Sequence, residues 1–103
     1  MSYTYIARLH IKPEMEASFR QAIADMMEVA RDDPGTLDYQ VFTLADDPYS
    51  YVFYESYVDA DADERHRTGP VSGPIVARMV ECIDDRGFAQ EFWTPVAALD
   101  KKP

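Results

Sequence analysis

The chain has 103 residues, 47% of them hydrophobic, which suits one domain with a packed core and argues against an intrinsically disordered chain. Ten Lys and Arg against nineteen Asp and Glu give a net charge of −9, which opposes binding to phosphate backbones or anionic membranes. The lone Cys82 excludes an intrachain disulfide, and two histidines and one cysteine at no recognisable ligand spacing offer no metal site.

Tyr3 to Ile11 alternates Tyr3, Tyr5, Ala7, Leu9 and Ile11 against Thr4, Ile6, Arg8 and His10, the period of a strand. Pro13 stops it and suits the first turn of a helix, where Glu14 and Glu16 meet the positive end of the helix dipole. Met15, Phe19, Ala22, Ile23, Met26 and Ala30 recur at helical spacing, and Asp32-Asp33-Pro34-Gly35 ends the helix. Leu37 to Leu44 reads as a second strand, Ala45 to Tyr49 as a turn, and Ser50 to Val58 as a third strand paired with the second as a hairpin. Asp59 is the expected N-cap of a short helix to about Thr68, which Gly69-Pro70 breaks. Val71, Ile75, Val76, Met79, Val80 and Ile83 form another helical stripe, whose start Gly73-Pro74 is expected to delay. Asp84 to Gly87 reads as a turn, Phe88 to about Thr94 as a last strand, and residues 98–103 as a frayed tail.

The order β-α-β-β-α-β, with the second helix split, predicts an α+β, ferredoxin-like fold with an antiparallel sheet, spanning residues 1–103 as one domain. Large side chains fall on both sheet faces, so the face away from the helices is expected to be covered by a second copy, as a homodimer packed sheet on sheet. No charged-then-apolar leader opens the chain, and no apolar run approaches the roughly 20 residues of a membrane helix, so a cytoplasmic protein is expected.

Three segments carry a resemblance over roughly Ile6 to Val96. They are Ala7-Arg-Leu-His-Ile-Lys-Pro13 before the first helix, Asp33-Pro-Gly-Thr-Leu-Asp-Tyr39 before the second strand, and Phe53-Tyr-Glu-Ser-Tyr57 leading to His66. In order and spacing they resemble the antibiotic biosynthesis monooxygenase family of dimeric α+β barrels, with Glu14 where the family often has Gly and Tyr57 where it often has Trp. The family includes cofactor-free oxygenases of polycyclic phenols, quinol oxidases, isomerases of small sugar-like signals and haem-degrading enzymes. The haem branch is expected to show Asn, Trp and His where this chain has Ala7, His66 and Val76, which speaks against haem.

The resemblance therefore implies a cofactor-independent monooxygenase of a phenolic, quinol or polyketide-type aromatic substrate, using dioxygen and no cofactor. Such chemistry needs a dry aromatic pocket, one proton acceptor and hydrogen bonds to the substrate anion. His66 is the candidate acceptor, Arg8 the candidate anion partner, and Tyr39, Tyr54, Glu55, Met79 and Trp93 the further candidate substrate contacts. Each also has a plain structural reading. His66 could be an ordinary helix residue between Glu64 and Arg67, Glu55 a buried carboxylate held for structural reasons, and His10 a solvated edge residue. Trp93 and Phe92, on opposite faces of the last strand, could simply pack. The tyrosines are good strand formers, and the methionines are core residues by default. A small-molecule isomerase on the same fold, or a non-catalytic ligand-binding or accessory dimer, are the alternative functions.

Overall fold

The alternation of Tyr3–Ile11 becomes strand β1 in the computed structural model, which describes residues 2–101. A 3-10 turn at Pro13–Met15 leads into helix α1, Glu16–Arg31, which buries Phe19, Ala22, Met26 and Ala30 at the expected spacing. Strands β2 (Thr36–Leu44) and β3 (Asp47–Tyr57) form the hairpin, followed by the split helix, α2 (Ala60–Thr68) and α3 (Ser72–Cys82), and by strand β4 (Ile83–Phe92). The sheet is antiparallel in the order β2-β3-β1-β4, so the fold is ferredoxin-like α+β with an open sheet.

The helices cover one sheet face. Ile11, Phe19, Ala22, Met26, Tyr51, Phe53, Ile75, Met79 and Cys82 form its core, with Ala7, Leu9, Tyr39 and Val41 packed against them. The odd-numbered residues of β1 and β3, with Tyr39 and Val41 of β2, therefore point toward the helices: Tyr39 lies opposite Glu55, and Glu55 opposite Tyr5, while a register shift between Thr36 and Asp38 leaves Leu37 exposed. Phe92 continues this row on β4. The even-numbered residues of β1 and β3, among them Arg8 and Tyr54, and Phe42 of β2 occupy the other face, where no helix packs.

Three local expectations change. The turn read at Ala45–Tyr49 shortens to Ala45-Asp46, because Asp47 accepts from the Tyr49 backbone N–H at 3.0 Å and the Ser50 hydroxyl at 2.8 Å and folds the polar stretch into an irregular strand start. The turn read at Asp84–Gly87 is an irregularity inside β4: Leu9 pairs with Phe88 but Ile11 pairs with Ile83, and Gly87 takes φ 72°, a conformation natural to glycine. Pro74 does not delay α3, since it lies in the first turn, where a missing N–H breaks no helical bond. β4 ends at Phe92, and the Trp93 N–H still donates to Thr4 O at 2.9 Å. The tail expected over residues 98–103 has no regular structure as far as residue 101, and its last two residues lie outside the described residues.

His10 is not a solvated edge residue. The sheet order makes β1 an inner strand, and the imidazole sits between two carboxylates, Nδ1 at 2.6 Å from Asp84 and Nε2 at 3.4 Å from Asp47.

Candidate functional site

A cavity of about 400 Å³ opens between the covered face of the sheet and helices α2 and α3. Its size falls in the range of roughly 300–1,000 Å³ typical of small-molecule sites. The row Tyr39, Glu55 and Tyr5 floors one end, and Asp63, His66 and Arg67 of α2 wall it. Leu9, Val76, Met79, Ile83 and Phe88 give the rest an apolar lining.

Local sequence explains how α2 presents these groups. The Asp59 carboxylate accepts the Ala62 N–H at 2.8 Å and caps the helix, as its position predicts. Ala62, Asp63 and His66 are then neighbours on one face, at i, i+1 and i+4, and that face is buried. Gly35 lets the turn before β2 press against the helix, since a Cβ there would come within 2.9 Å of the Ala62 Cβ.

The His66 side chain is 4% exposed, with its ring centroid 5.5 Å from that of Tyr39 and 5.3 Å from that of Tyr57. Its Nε2 lies 3.8 Å from Glu55 Oε1, beyond hydrogen-bond length. Burial holds the imidazole below the ordinary histidine value, against the opposite pull of Asp63 and Asp33. It is therefore neutral at neutral pH and able to accept a proton.

Glu55 is buried and accepts from the Tyr57 hydroxyl at 2.5 Å and from the Tyr5 hydroxyl at 2.9 Å. Burial pushes its pKa up, and these two hydrogen bonds only partly offset that. Burial, and then the neighbouring Glu55, push the Tyr5, Tyr39 and Tyr57 phenols far up, so they stay protonated. Asp63 accepts from Tyr5 at 2.8 Å and from the Arg67 guanidinium at 3.2 Å, and Arg67 reaches solvent.

The structure thus brings together His66, Glu55, Tyr39 and Met79. It does not bring Arg8, Tyr54 or Trp93 to them. Arg8 is even-numbered on β1 and pairs at 3.8 Å with Glu91 on the uncovered face, while Tyr54 and Trp93 meet there with ring centroids 6.5 Å apart. The parity of the strand, combined with the side on which the helices pack, separates the two sets by the thickness of the sheet. Tyr5, Asp63 and Arg67 line the cavity although sequence reasoning did not single them out. The i,i+4 spacing of Asp63 and Arg67 was a visible signal for that ion pair. Ala7 and Val76, the positions set against haem, both line this cavity. Among the described residues no group of three or more His, Cys, Asp or Glu side chains is placed to hold a metal ion. Cys82 is buried in the core, as a small apolar residue would be.

Fold and cavity define a class: a ferredoxin-like α+β domain with a cavity between sheet and helices, lined by aromatic and titratable side chains. Residues 2–78 match the family model described as antibiotic biosynthesis monooxygenase, and the chain belongs to that family. Solved structures share the fold. The Mycobacterium tuberculosis protein Rv0793 superposes with a TM-score of 0.80 at 23% identity, over 97% of this chain and 100% of that one. A variant of SnoaB, described as a cofactor-independent oxygenase from Streptomyces nogalater, gives 0.77 at 19% identity, over 97% and 98%. A conserved protein from Methanosarcina mazei gives 0.80 at 19%, over 90% and 91%. No curated protein matches the sequence.

Proposed function

We propose that this protein is a cofactor-independent monooxygenase of a phenolic or quinol-type aromatic substrate, with His66 as the proton acceptor. The observation that carries the reading is a buried imidazole on the wall of an aromatic-lined cavity, its Nε2 beyond hydrogen-bond length from Glu55. Family membership supports it, as does the description of SnoaB as a cofactor-independent oxygenase.

The reaction starts when a substrate O–H or acidic C–H gives its proton to His66. The electron-rich anion passes one electron to dioxygen, and the organic radical and superoxide then join through a new C–O bond. The resulting peroxide anion recovers the proton from His66 and loses water, leaving a carbonyl. One oxygen atom ends in the product and the other in water, so dioxygen is the only oxidant consumed. Tyr39 and Phe53 wall the substrate ring, Met79 closes over it from α3, and Arg67 at the cavity wall is the cation placed to attract the anion.

The test is turnover of a panel of hydroquinones and anthrones, with and without dioxygen. Oxygen uptake matched one to one by a product that carries one atom of the dioxygen is expected, with no product under anaerobic conditions. Product formed without oxygen would replace oxygenation by isomerisation, and binding without turnover would make the protein a ligand-binding module.

A second copy of the chain is the proposed partner on the uncovered sheet face. Phe42 there is 51% exposed and Trp93 46%, beside Tyr54 and Val52, an apolar surface that a strand-lined face of another copy would bury. Sedimentation should show a dimer for the wild type and a monomer for Phe42→Lys. A monomeric wild type would remove this part of the proposal.

A further inference from the structure

The Tyr5 hydroxyl stands between two carboxyl groups, 2.9 Å from Glu55 Oε1 and 2.8 Å from Asp63 Oδ1. A phenol has one proton to donate, so it cannot satisfy both. If Glu55 and Asp63 were both ionised, one carboxylate oxygen would face the phenol oxygen with no proton between them, in a buried site where such a contact is costly. One extra proton removes the conflict. Asp63 is the better anion of the two, because its other oxygen accepts from the Arg67 guanidinium. Among the described residues Glu55 has only phenols as hydrogen-bond partners, Tyr5 and Tyr57. With the proton on Glu55, each hydroxyl donates once: Tyr57 to Glu55, Glu55 to Tyr5, and Tyr5 to Asp63, beside Arg67.

We propose that Glu55 and Asp63 share one proton through Tyr5, that it rests on Glu55 while His66 is neutral, and that it passes to Asp63 when His66 is protonated. In the transfer the Glu55 O–H bond breaks as a new Tyr5 O–H bond forms. The original Tyr5 O–H bond breaks in turn as an Asp63 O–H bond forms. No electrons are exchanged, and one negative charge moves from Asp63 to Glu55, whose oxygen is 3.8 Å from His66 Nε2. A counter-ion is thus created beside the imidazolium only when it is needed. Glu55 and Tyr5 act through His66 and are positioning residues.

The groups facing this chain come from every element around it: Tyr5 of β1, Tyr39 of β2, Tyr57 of β3, Asp63, His66 and Arg67 of α2, and Asp33 of the turn before β2. The upward push of burial on Glu55 acts in the same sense as the geometry. The idea rests on the reading of His66 as a proton acceptor, but its readouts need no substrate, so it and the proposed reaction can fail separately.

The experiment combines infrared spectroscopy of the carboxyl groups with an NMR titration of the His66 ring. At neutral pH the wild type should show the C=O stretch of a protonated carboxylic acid, and Glu55→Gln should remove it. In Glu55→Gln, which cannot release a proton, and in Tyr5→Phe, which cuts the relay but keeps the ring, His66 should bind its proton about tenfold or more weakly, the effect of losing one nearby opposite charge. A wild type with no such band, or a band that survives Glu55→Gln, would overturn the proposal. So would a His66 titration unchanged in Glu55→Gln, because a merely structural Glu55 would not set the proton affinity of the imidazole.

Discussion

Replacing His66 by alanine is expected to lower turnover of any substrate found for this cavity by about 10²- to 10⁴-fold, the usual contribution of a positioned general base. Burial holds the imidazole below the ordinary histidine value, so it stands on the cavity wall as a neutral proton acceptor. The phenols of Tyr5 and Tyr39 are held protonated, and Glu55 is pushed toward its neutral form. The loss should fall on kcat more than on KM, because the aromatic walls that bind the ring remain. The wild-type rate should decline only at pH values below the ordinary 6.5 of a histidine, since burial holds His66 lower. Stability carries the same sign. The unfolded chain takes up the proton first, so the contribution of His66 is complete above about pH 6.5 and is lost as the pH falls toward its lower folded value. Glu55 works in the opposite sense, because its folded value is raised. Its contribution is full below the ordinary 4.5 and is lost as the pH rises through the folded value. Turnover by His66→Ala at the wild-type rate, in protein with an unchanged fold, would sink the assignment.

Phe19→Ala is expected to cost about 3–5 kcal/mol, the range for truncating a buried aromatic side chain. Phe19 is fully buried on α1, with its ring centroid 4.8 Å from that of Tyr51 and 6.0 Å from that of Phe53. It is the wedge between the first helix and the central strands. Its removal leaves space that neither strand can collapse into without disturbing the ladder beneath the cavity. Against a total stability of roughly 5–15 kcal/mol, that loss would bring the protein close to unfolding at room temperature. A urea titration should show the midpoint falling with little change in slope. A loss under about 1 kcal/mol would mean that the core is far more plastic than close packing allows.

Much of this architecture is written in short-range patterns. The period-two run from Tyr3 to Ile11, the stripe Phe19-Ala22-Met26-Ala30 and the cap at Asp59 all depend on neighbours a few residues away, and all three are found in place. The irregular stretches were harder to read. Asp84 to Gly87 has the composition of a turn, but pairing with β1 draws it into a strand, and pairing is a long-range contact. His10 shows the same limit, since its two carboxylate partners are 37 and 74 residues away.

The candidate site divides along this line. The sequence by itself determined that Tyr5, Ala7 and Leu9 lie on one face of β1 and Arg8 and His10 on the other, because alternation is a property of the extended backbone. It also marked Glu55 and His66 as a carboxylate and an imidazole at the junction of strand and helix. Only the tertiary structure decided which face the helices cover, and so put Tyr39, Glu55, Met79 and His66 around one cavity while leaving Arg8, Tyr54 and Trp93 behind the sheet. The reason is physical. Strand order and register set Tyr5 beside Glu55, and the packing of α2 set Asp63 against both, through contacts 50 and 58 residues apart in the chain. No local pattern encodes a distance across that separation. The shared position of a single proton among those three groups arises only once folding has expelled the water between them.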